Sequence, residues 1–549
     1  MMKLSRTAMR IFLLAVALIG AFSARATAPA VDPPFPAWVF GHVVWEDEST
    51  TQGTYDLVQG YLEHGIPVDG VIIDSPWATA YNTFEPDPEL YPNMDQLIAD
   101  LRRNRVHVVL WVTSVINLDD PDYQYCLDQG YFVKGMEELT WWKGPGGWID
   151  YDNPEAVAFW HNRIDRAIEM GVDAWKCDGT EPWVLLKGYP AFRRYADNYY
   201  SDFYHYTRRQ TGEKSLVMAR PTEQLVNESL LNLPAWTNPL GLGLWLTYAP
   251  REVSYMSWVG DQDPTFDGLA LAIRMVLRSS KKNYLIVGSD IGGYREGGPD
   301  KEVLIRWAQF GALTGFMENG GIGEHRPWMF DEETMKIYRA YVLLHKILEP
   351  YLYTQAVKAW QNGKSLIHPL PRGKDHYLLG PDILVAPISK PGGKVRVVLP
   401  RGQDWMPLFR STDLLEAAQK CRIPDTEPAL LRGACSFTYA YALHEFPVFL
   451  RAGAAIPVRT EPFGRELFGN AQGVTAAERL LLLVPTAERG KLPLRQTVFE
   501  EGRDPLALNL DLDLNAEFPV ALDRGWIILP PPPEFPVIPD QVPPIKWRD

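Results

Sequence analysis

The chain has 549 residues, which is too long for one ordinary hydrophobic core and indicates two or three domains. Its composition, 46% hydrophobic and 22% charged, is typical of a folded globular protein and excludes disordered and collagen-like chains. A formal net charge of −14 argues against nucleic acid as a partner, because nucleic-acid-binding proteins need clustered lysine and arginine.

The N-terminus has the pattern of a signal peptide. Lys3, Arg6 and Arg10 precede an apolar run at residues 11–22, and Ala24-Arg25-Ala26 has the small residues of a cleavage site. The apolar run is shorter than the ~20 residues that span a bilayer, which favours cleavage over anchoring. We therefore expect residues 1–26 to be removed, no membrane span afterwards, and a periplasmic or secreted protein.

Repeated βα units are indicated for residues 36–362. Short apolar runs alternate there with amphipathic stretches such as 93–104, 154–170 and 266–280, each long enough to cross back over a parallel sheet. The runs lie at 38–45, 68–74, 106–113, 172–178, 215–220, 254–259, 284–290 and 312–318. Eight units of this kind predict an α/β chain with a (β/α)8 TIM barrel.

A second domain is predicted after the barrel. The helical pattern of residues 333–362 gives way to short strand patterns at 377–379, 383–386, 395–399 and 448–450. We expect a smaller C-terminal β-sandwich domain over residues 363–458. Residues 459–549 then form a shortened distal β region with a proline-rich tail, marked by four prolines at 530–533.

Charged residues follow the predicted barrel strands at their C-terminal ends. They are Asp74, Asp178, Arg220, Asp261, Asp290 and Glu318. In a TIM barrel this end is the catalytic face. For any one acid alone, the alternative is a helix N-cap at a βα junction.

Two of these acids fit the cleavage of a glycosidic bond with retention, which needs two carboxyl groups about 5–5.5 Å apart. Lys176 and Asp178 project to the same side of their strand, and a nearby Arg220 would further favour an ionised Asp178. Asp261 closely follows Trp258, whose indole can exclude water and favour a protonated acid. The alternatives are a buried ion pair for Asp178 and an N-cap for Asp261.

Several segments carry a resemblance to glycoside hydrolase family 31. In chain order they are 71–77 (VIIDSPW), 171–181 (GVDAWKCDGTE), 258–261 (WVGD), 288–294 (GSDIGGY), 306–309 (RWAQ) and 379–387 (LGPDILVAP). The chain is similar to that family from about residue 38 to 458. The resemblance implies a retaining α-glycosidase that uses neither metal nor organic cofactor, with an oligosaccharide or glycoside as its substrate.

The resemblance also implies roles for individual residues. Asp178 matches the family nucleophile and Asp261 the acid/base residue, while Asp74 matches an aspartate that binds a hydroxyl of the terminal sugar. We assign substrate binding to Asp74, Trp77, Trp111, Lys176, Arg220, Trp258, Asp290, Glu318 and His325.

The sequence departs from the family pattern at two places. Many members have Arg-x-His on the last barrel strand, where this chain has Glu318-Asn319-Gly320. His325, in the following loop, either refills part of that gap or makes ordinary loop contacts. Only about ten residues separate the expected cleavage site from the barrel, so we also expect the family's N-terminal β-sandwich to be missing.

Other properties stay open at this stage. Within the enzyme class, α-xylosidase, α-galactosidase and transglycosylase activities compete with α-glucosidase activity. A different class is a catalytically inactive carbohydrate-binding barrel, against which the retention of both carboxyl groups argues. Cys421 and Cys435 could bridge one loop, but the sequence decides neither their pairing nor the oligomeric state.

Overall fold

A computed structural model describes residues 31–179, 189–224, 245–247, 249–459, 479–487, 491–513, 520–521, 526–529, 538 and 542–547. The expected signal peptide and the prolines at 530–533 lie outside these residues. Within the described part of the chain, no helix combines the length and the apolar character needed to cross a membrane.

The strands of the N-terminal part form three sheets. In chain order they are β1 (His42–Val44), β2 (Gly70–Ile73), β3 (His107–Val112), β4 (Val115–Asn117), β5 (Leu139–Trp141), β6 (Gly144–Trp148), β7 (Ala174–Cys177), β8 (Leu216–Ala219), β9 (Thr222–Gln224), β10 (Trp245–Thr247), β11 (Met256–Trp258), β12 (Val287–Gly288), β13 (Asp290–Ile291) and β14 (Met317–Asn319).

Nine of these strands make one parallel sheet, in the order β12-β11-β8-β7-β3-β2-β1-β14-β13. Only Ser289 separates β12 from β13; β12 pairs with β11, and β13 pairs with β14. These two short strands therefore share one position and close the sheet into a barrel of eight positions. The predicted TIM barrel is confirmed.

Helices connect the barrel strands and cover their outer face. They are α1 (Thr51–Glu63), α2 (Met94–Arg103), α3 (Tyr123–Gln129), α4 (Pro154–Met170), α5 (Tyr189–Thr211), α6 (Phe266–Lys281), α7 (Lys301–Gly311), α8 (Glu332–Ile347) and α9 (Glu349–Gln361). Their apolar sides are buried against the strands, which are themselves buried along nearly their whole length. Burial on both faces explains why the strands read as continuous apolar runs.

The structure differs from the predicted elements at both ends of the barrel. The first run begins with a 3-10 helix at Ala37–Phe40 before β1, because a continuous apolar run buries equally well in either conformation. The helical pattern after the barrel is two helices, α8 and α9. They separate at Leu348, where Pro350 has no backbone N–H to continue the α8 hydrogen-bond ladder.

An insertion between β3 and α4 was not predicted. Strands β4, β6 and β5 form a small antiparallel sheet in that order. The insertion also includes α3. Its strands are only three to five residues long, and β6 contains three glycines, so they carry little periodicity.

The C-terminal part consists mainly of antiparallel sheets, as predicted. Its strands are β15 (Ile367–Pro369), β16 (Tyr377–Leu379), β17 (Ile383–Val385), β18 (Lys394–Val398), β19 (Trp405–Pro407), β20 (Ser436–Ala440), β21 (Val448–Arg451), β22 (Ala455–Arg459), β23 (Arg479–Leu483), β24 (Lys491–Val498), β25 (Leu506–Asp513), β26 (Val520–Ala521) and β27 (Trp526–Leu529), with one short helix α10 (Thr412–Ala417). Cys421 and Cys435 form a disulfide, which answers the question that the sequence left open.

Helix α7 attaches the barrel to the C-terminal domain through Arg306. Its guanidinium is buried and donates hydrogen bonds of 2.8–3.3 Å to the backbone carbonyls of Tyr441, Ala442, Leu443 and Glu445. These carbonyls belong to the segment between β20 and β21. Gln309, also on α7, donates to the carbonyl of Leu443 at 2.7 Å, so two side chains of this helix bind one turn of the second domain.

We expect Arg306→Met to lower the free energy of unfolding by about 2 kcal/mol or more, because the carbonyls of Tyr441 and Glu445 lose their donor. Urea unfolding followed by tryptophan fluorescence measures this change. The exposed Arg401→Met should alter stability by less than about 0.5 kcal/mol. Equal stability of the two variants would contradict the role of Arg306.

Candidate active site

Arg220 holds two carboxylates at the C-terminal mouth of the barrel. Its Nε donates to Oδ1 of Asp178 at 3.0 Å, and its Nη2 donates to Oδ1 of Asp261 at 2.9 Å. Asp178 directly follows β7, Arg220 directly follows β8, and Asp261 lies three residues beyond β11. Because these strands are neighbours in the barrel, their ends bring the two acids to one guanidinium.

Asp178 is the more enclosed of the two acids and is surrounded by donors. The Nε1 of Trp111 also points at it, with 3.3 Å to Oδ2. Burial would raise the pKa of Asp178, but the charges of Arg220 and Lys176 outweigh burial and hold this pKa below its usual value. The carboxylate is therefore ionised at neutral pH.

Asp261 is placed differently, with its side chain 36% exposed against 10% for Asp178. The N-cap of α6 is Thr265, whose hydroxyl accepts from the backbone N–H of Gly268. Asp261 is therefore not the cap that the alternative interpretation required. Its carboxylate is left facing the mouth.

Lys176 forms the second charged centre of the mouth. Its ammonium lies 2.7 Å from Oδ2 of Asp74, 3.9 Å from the ring centre of Trp45 and 5.4 Å from that of Trp258. Burial opposes the charge on Lys176, but Asp74, Asp290 and Glu318 raise its pKa above the usual value. Lys176 is therefore a buried cation held among carboxyl groups and indole faces.

Asp290 and Glu318 form a buried carboxyl pair behind Lys176. They are register partners on the neighbouring strands β13 and β14. Both oxygens of Glu318 and Oδ1 of Asp290 have no hydrogen-bond partner within the described residues. Burial raises the pKa of Asp290 to about 8 despite the opposing charge of Lys176. Burial and then the charge of Asp290 raise the pKa of Glu318 well above its usual value.

Trp258 supports the cations in this arrangement. The guanidinium carbon of Arg220 lies 4.7 Å from its ring centre, on the same indole that Lys176 approaches. From its sequence position, Trp258 was expected to exclude water from Asp261. In the structure its contacts with Arg220 and Lys176 orient the two side chains that bind the carboxylates.

Three other predicted site residues have mainly structural contacts. Trp77 is buried and donates from Nε1 to the backbone carbonyl of Trp111 at 2.8 Å, so it buttresses β3. His325 is also buried, and its Nε2 lies 2.9 Å from the backbone carbonyl of Gly293. These contacts favour the loop-contact interpretation of His325. Glu318 is completely buried, as is its register partner Asp290.

Trp45 is a residue of the site that sequence reasoning missed. It follows β1, stacks on Tyr294 with ring centres 5.9 Å apart, and covers Gly320. A Cβ at Gly320 would lie 2.4 Å from the carbonyl oxygen of Trp45 and 2.5 Å from its indole. The ring of Trp45 therefore occupies space next to Gly320 that a side chain there would need. An apolar run gives no signal of such a contact.

Comparison with known proteins agrees with this geometry. Residues 32–355 match the family described as "Glycosyl hydrolases family 31 TIM-barrel domain", and residues 351–456 match "Glycosyl hydrolase family 31 C-terminal domain". A similar curated protein is an alpha-xylosidase of Emericella nidulans, 24% identical, with 79% of this chain and 55% of the relative covered. Another is alpha-glucosidase 2 of Bacillus thermoamyloliquefaciens, 25% identical, with 77% and 53% covered.

A solved structure shows the same fold. It is a family 31 alpha-xylosidase from a soil metagenome, complexed with xylose, with a TM-score of 0.63 at 18% identity; 77% of this chain and 64% of that chain are covered. The chain spans about half the length of the two curated relatives.

The carboxyl pair predicts a pH dependence of stability. Burial raises the folded-state pKa of Asp290 to about 8 and also raises that of Glu318, so the folded chain binds more protons than the unfolded chain from about pH 4 up to these raised values. Their contribution to the free energy of unfolding is full below this window and falls as the pH rises through it. We expect Glu318→Gln, which cannot ionise, to show a flatter decline than the wild type. Urea unfolding at about pH 5, 6.5 and 8 measures the slope.

The matched control is Glu416→Gln on the exposed side of α10, which should keep the wild-type slope. A Glu318→Gln slope as steep as that of the wild type would show that Glu318 does not hold its proton in this range.

Proposed function

The chain belongs to glycoside hydrolase family 31, and on that premise we propose that it is a retaining α-glycoside hydrolase with Asp178 as nucleophile and Asp261 as acid/base residue. The observation that carries the proposal is the single guanidinium shared by the two carboxylates. The substrate is an oligosaccharide or glycoside with a terminal α-linked sugar. Residues 1–26 have the pattern of an export signal, and we propose a periplasmic or secreted location.

The nucleophile must be ionised before the substrate arrives. Asp178 meets this requirement because Arg220 and Lys176 hold its pKa low and Trp111 offers a further donor to Oδ2. The same donors keep the carboxylate in a fixed orientation. Attack by an oxygen of Asp178 on the anomeric carbon then forms a covalent glycosyl-enzyme, which water hydrolyses in a second displacement.

The acid/base residue must reach both the leaving oxygen and solvent. Asp261 is the more exposed carboxyl group and contacts Arg220 through the outer nitrogen Nη2. It can therefore give a proton to the departing oxygen and later take one from the attacking water. Arg220 contacts both side chains in the structure, so it can position the nucleophile and the acid/base residue for the two steps.

The polar floor of the mouth, formed by Asp74, Lys176 and Asp290, binds the terminal sugar in this proposal. Asp74 and Lys176 form an ion pair there, and Asp290 lies next to them as a buried carboxyl group. Such groups hydrogen-bond to hydroxyl groups of a sugar. The named relatives act on different sugars, and we leave the identity of the terminal sugar to the assay below.

We expect Asp178 to be labelled covalently by a 5-fluoro α-glycosyl fluoride whose sugar the protein accepts. The fluorine slows the second displacement, so the glycosyl-enzyme accumulates and peptide mass spectrometry locates it. A panel of gluco, xylo and galacto compounds also identifies the preferred sugar. Asp178→Asn should remain unlabelled and lose at least about 10³-fold in kcat.

Attachment at another residue would overturn the assignment of Asp178. A wild-type protein that turns over no member of the panel, but binds one, would favour the carbohydrate-binding alternative. Product analysis at high sugar concentration separates hydrolysis from transglycosylation, because a second sugar then competes with water for the same intermediate.

The role of Asp261 predicts a dependence on the leaving group. Asp261→Asn should lower kcat/KM about 10²–10⁴-fold for alkyl glycosides, which need protonation, and much less for α-glycosyl fluorides, which do not. Asp263→Asn is the control, since this nearby exposed acid faces Arg295 at 3.8 Å rather than Arg220. Equal losses on both kinds of substrate would show that Asp261 is not the proton donor.

A further inference from the structure

The insertion between β3 and α4 carries most of the large apolar side chains that are exposed in the described part of the chain. Among the described residues, five large apolar side chains are more than a third exposed, and four of these five lie in residues 118–142 of the insertion. They are Leu118, Tyr125, Leu127 and Trp142; the fifth is Met329. Exposed apolar side chains grouped on one insertion indicate a binding surface.

Trp142 is the member of this group that lies at the mouth of the barrel. Its Cη2 is 3.6 Å from the position that a Cβ would take at Gly179, the residue after Asp178. The ring is 43% exposed. An open indole face therefore lies beside the end of the strand that carries the nucleophile.

A series of aromatic contacts connects this indole to Asp178. Trp111, which donates to Asp178, lies parallel to Trp141 at an angle of 12° with ring centres 6.4 Å apart. Trp141 meets Trp142 nearly edge-on at 4.8 Å. Trp111 and Trp141 are buried, so Trp142 is the solvent-facing end of the series.

The turn that bears Trp142 is held by side-chain contacts on both sides. Trp141 Nε1 donates to Oδ1 of Asn117 at 2.7 Å, and Asn117 Nδ2 donates to the carbonyl of Lys143 at 2.9 Å. The Lys143 ammonium lies 5.6 Å from the ring centre of Tyr81. The indole is thus positioned before any ligand binds, which lowers the entropic cost of stacking on it.

We propose that Trp142 is a stacking platform for the sugar on the leaving-group side of the scissile bond, which makes it a specificity-determining residue for oligosaccharides. The proposal rests on the proposed glycosidase function. The apolar face of a pyranose ring matches an exposed indole, and the buried floor described above is polar and suits the hydroxyl-rich terminal sugar instead. Trp142 then selects substrates that continue beyond the cleaved bond.

The test compares two substrates with the same terminal sugar, an α-linked disaccharide and the α-glycosyl fluoride, which has no leaving-group sugar. Trp142→Ala should lower kcat/KM about 10-fold for the disaccharide and less than about 2-fold for the fluoride. Trp142→Phe should recover most of the loss because it restores an aromatic face. Tyr125→Ala, another exposed aromatic of the insertion, should leave both values unchanged.

Equal losses of Trp142→Ala on both substrates would overturn the proposal, since they would place the effect on the chemical step or on the fold. Unchanged values on both substrates would overturn it as well. A wild type that hydrolyses neither substrate would remove the proposed function and this inference together, a result distinct from the other two.

Discussion

The guanidinium of Arg220 contacts both acids of the proposed reaction and fixes where they lie at the mouth of the barrel. It gives one N–H to Asp178 and another to Asp261. A planar fork suits this task better than an ammonium, because its donors lie in fixed directions and keep their charge at any physiological pH. The shape of the Arg220 guanidinium therefore determines how Asp178 and Asp261 are placed relative to each other. The indole of Trp258 packs against this guanidinium.

The mouth of the barrel contains more acidic than basic side chains. The predicted set places five carboxyl groups beside two cations, and five negative charges in a largely buried space would be very unfavourable. Burial raises the pKa of Asp290 to about 8 and also raises the pKa of Glu318, and both shifts favour the neutral acids and reduce that charge. The two cations make their close contacts with Asp74, Asp178 and Asp261 instead.

Sequence reasoning was most reliable where one physical rule determined the pattern. Buried parallel strands are continuous apolar runs, so strands such as Ala174–Cys177 were located within two residues, and the acids at their ends followed from the fold. The pairing of Asp290 with Glu318 depends on strand register, and the contact of Trp45 with Gly320 joins residues far apart in the chain. Local periodicity in the sequence predicts neither of these two contacts. The small sheet next to Trp142 was missed because its strands are too short for a clear alternation and one of them, Gly144–Trp148, has three glycines.

The contact between Trp45 and Gly320 has an evolutionary consequence. A chain that acquired a side chain at position 320 would first have to move the end of β1, since the obstruction includes a backbone oxygen as well as an indole. A smaller residue at position 45 would not by itself make room. An imidazole at position 320 would therefore require both a displaced β1 end and a smaller residue at position 45.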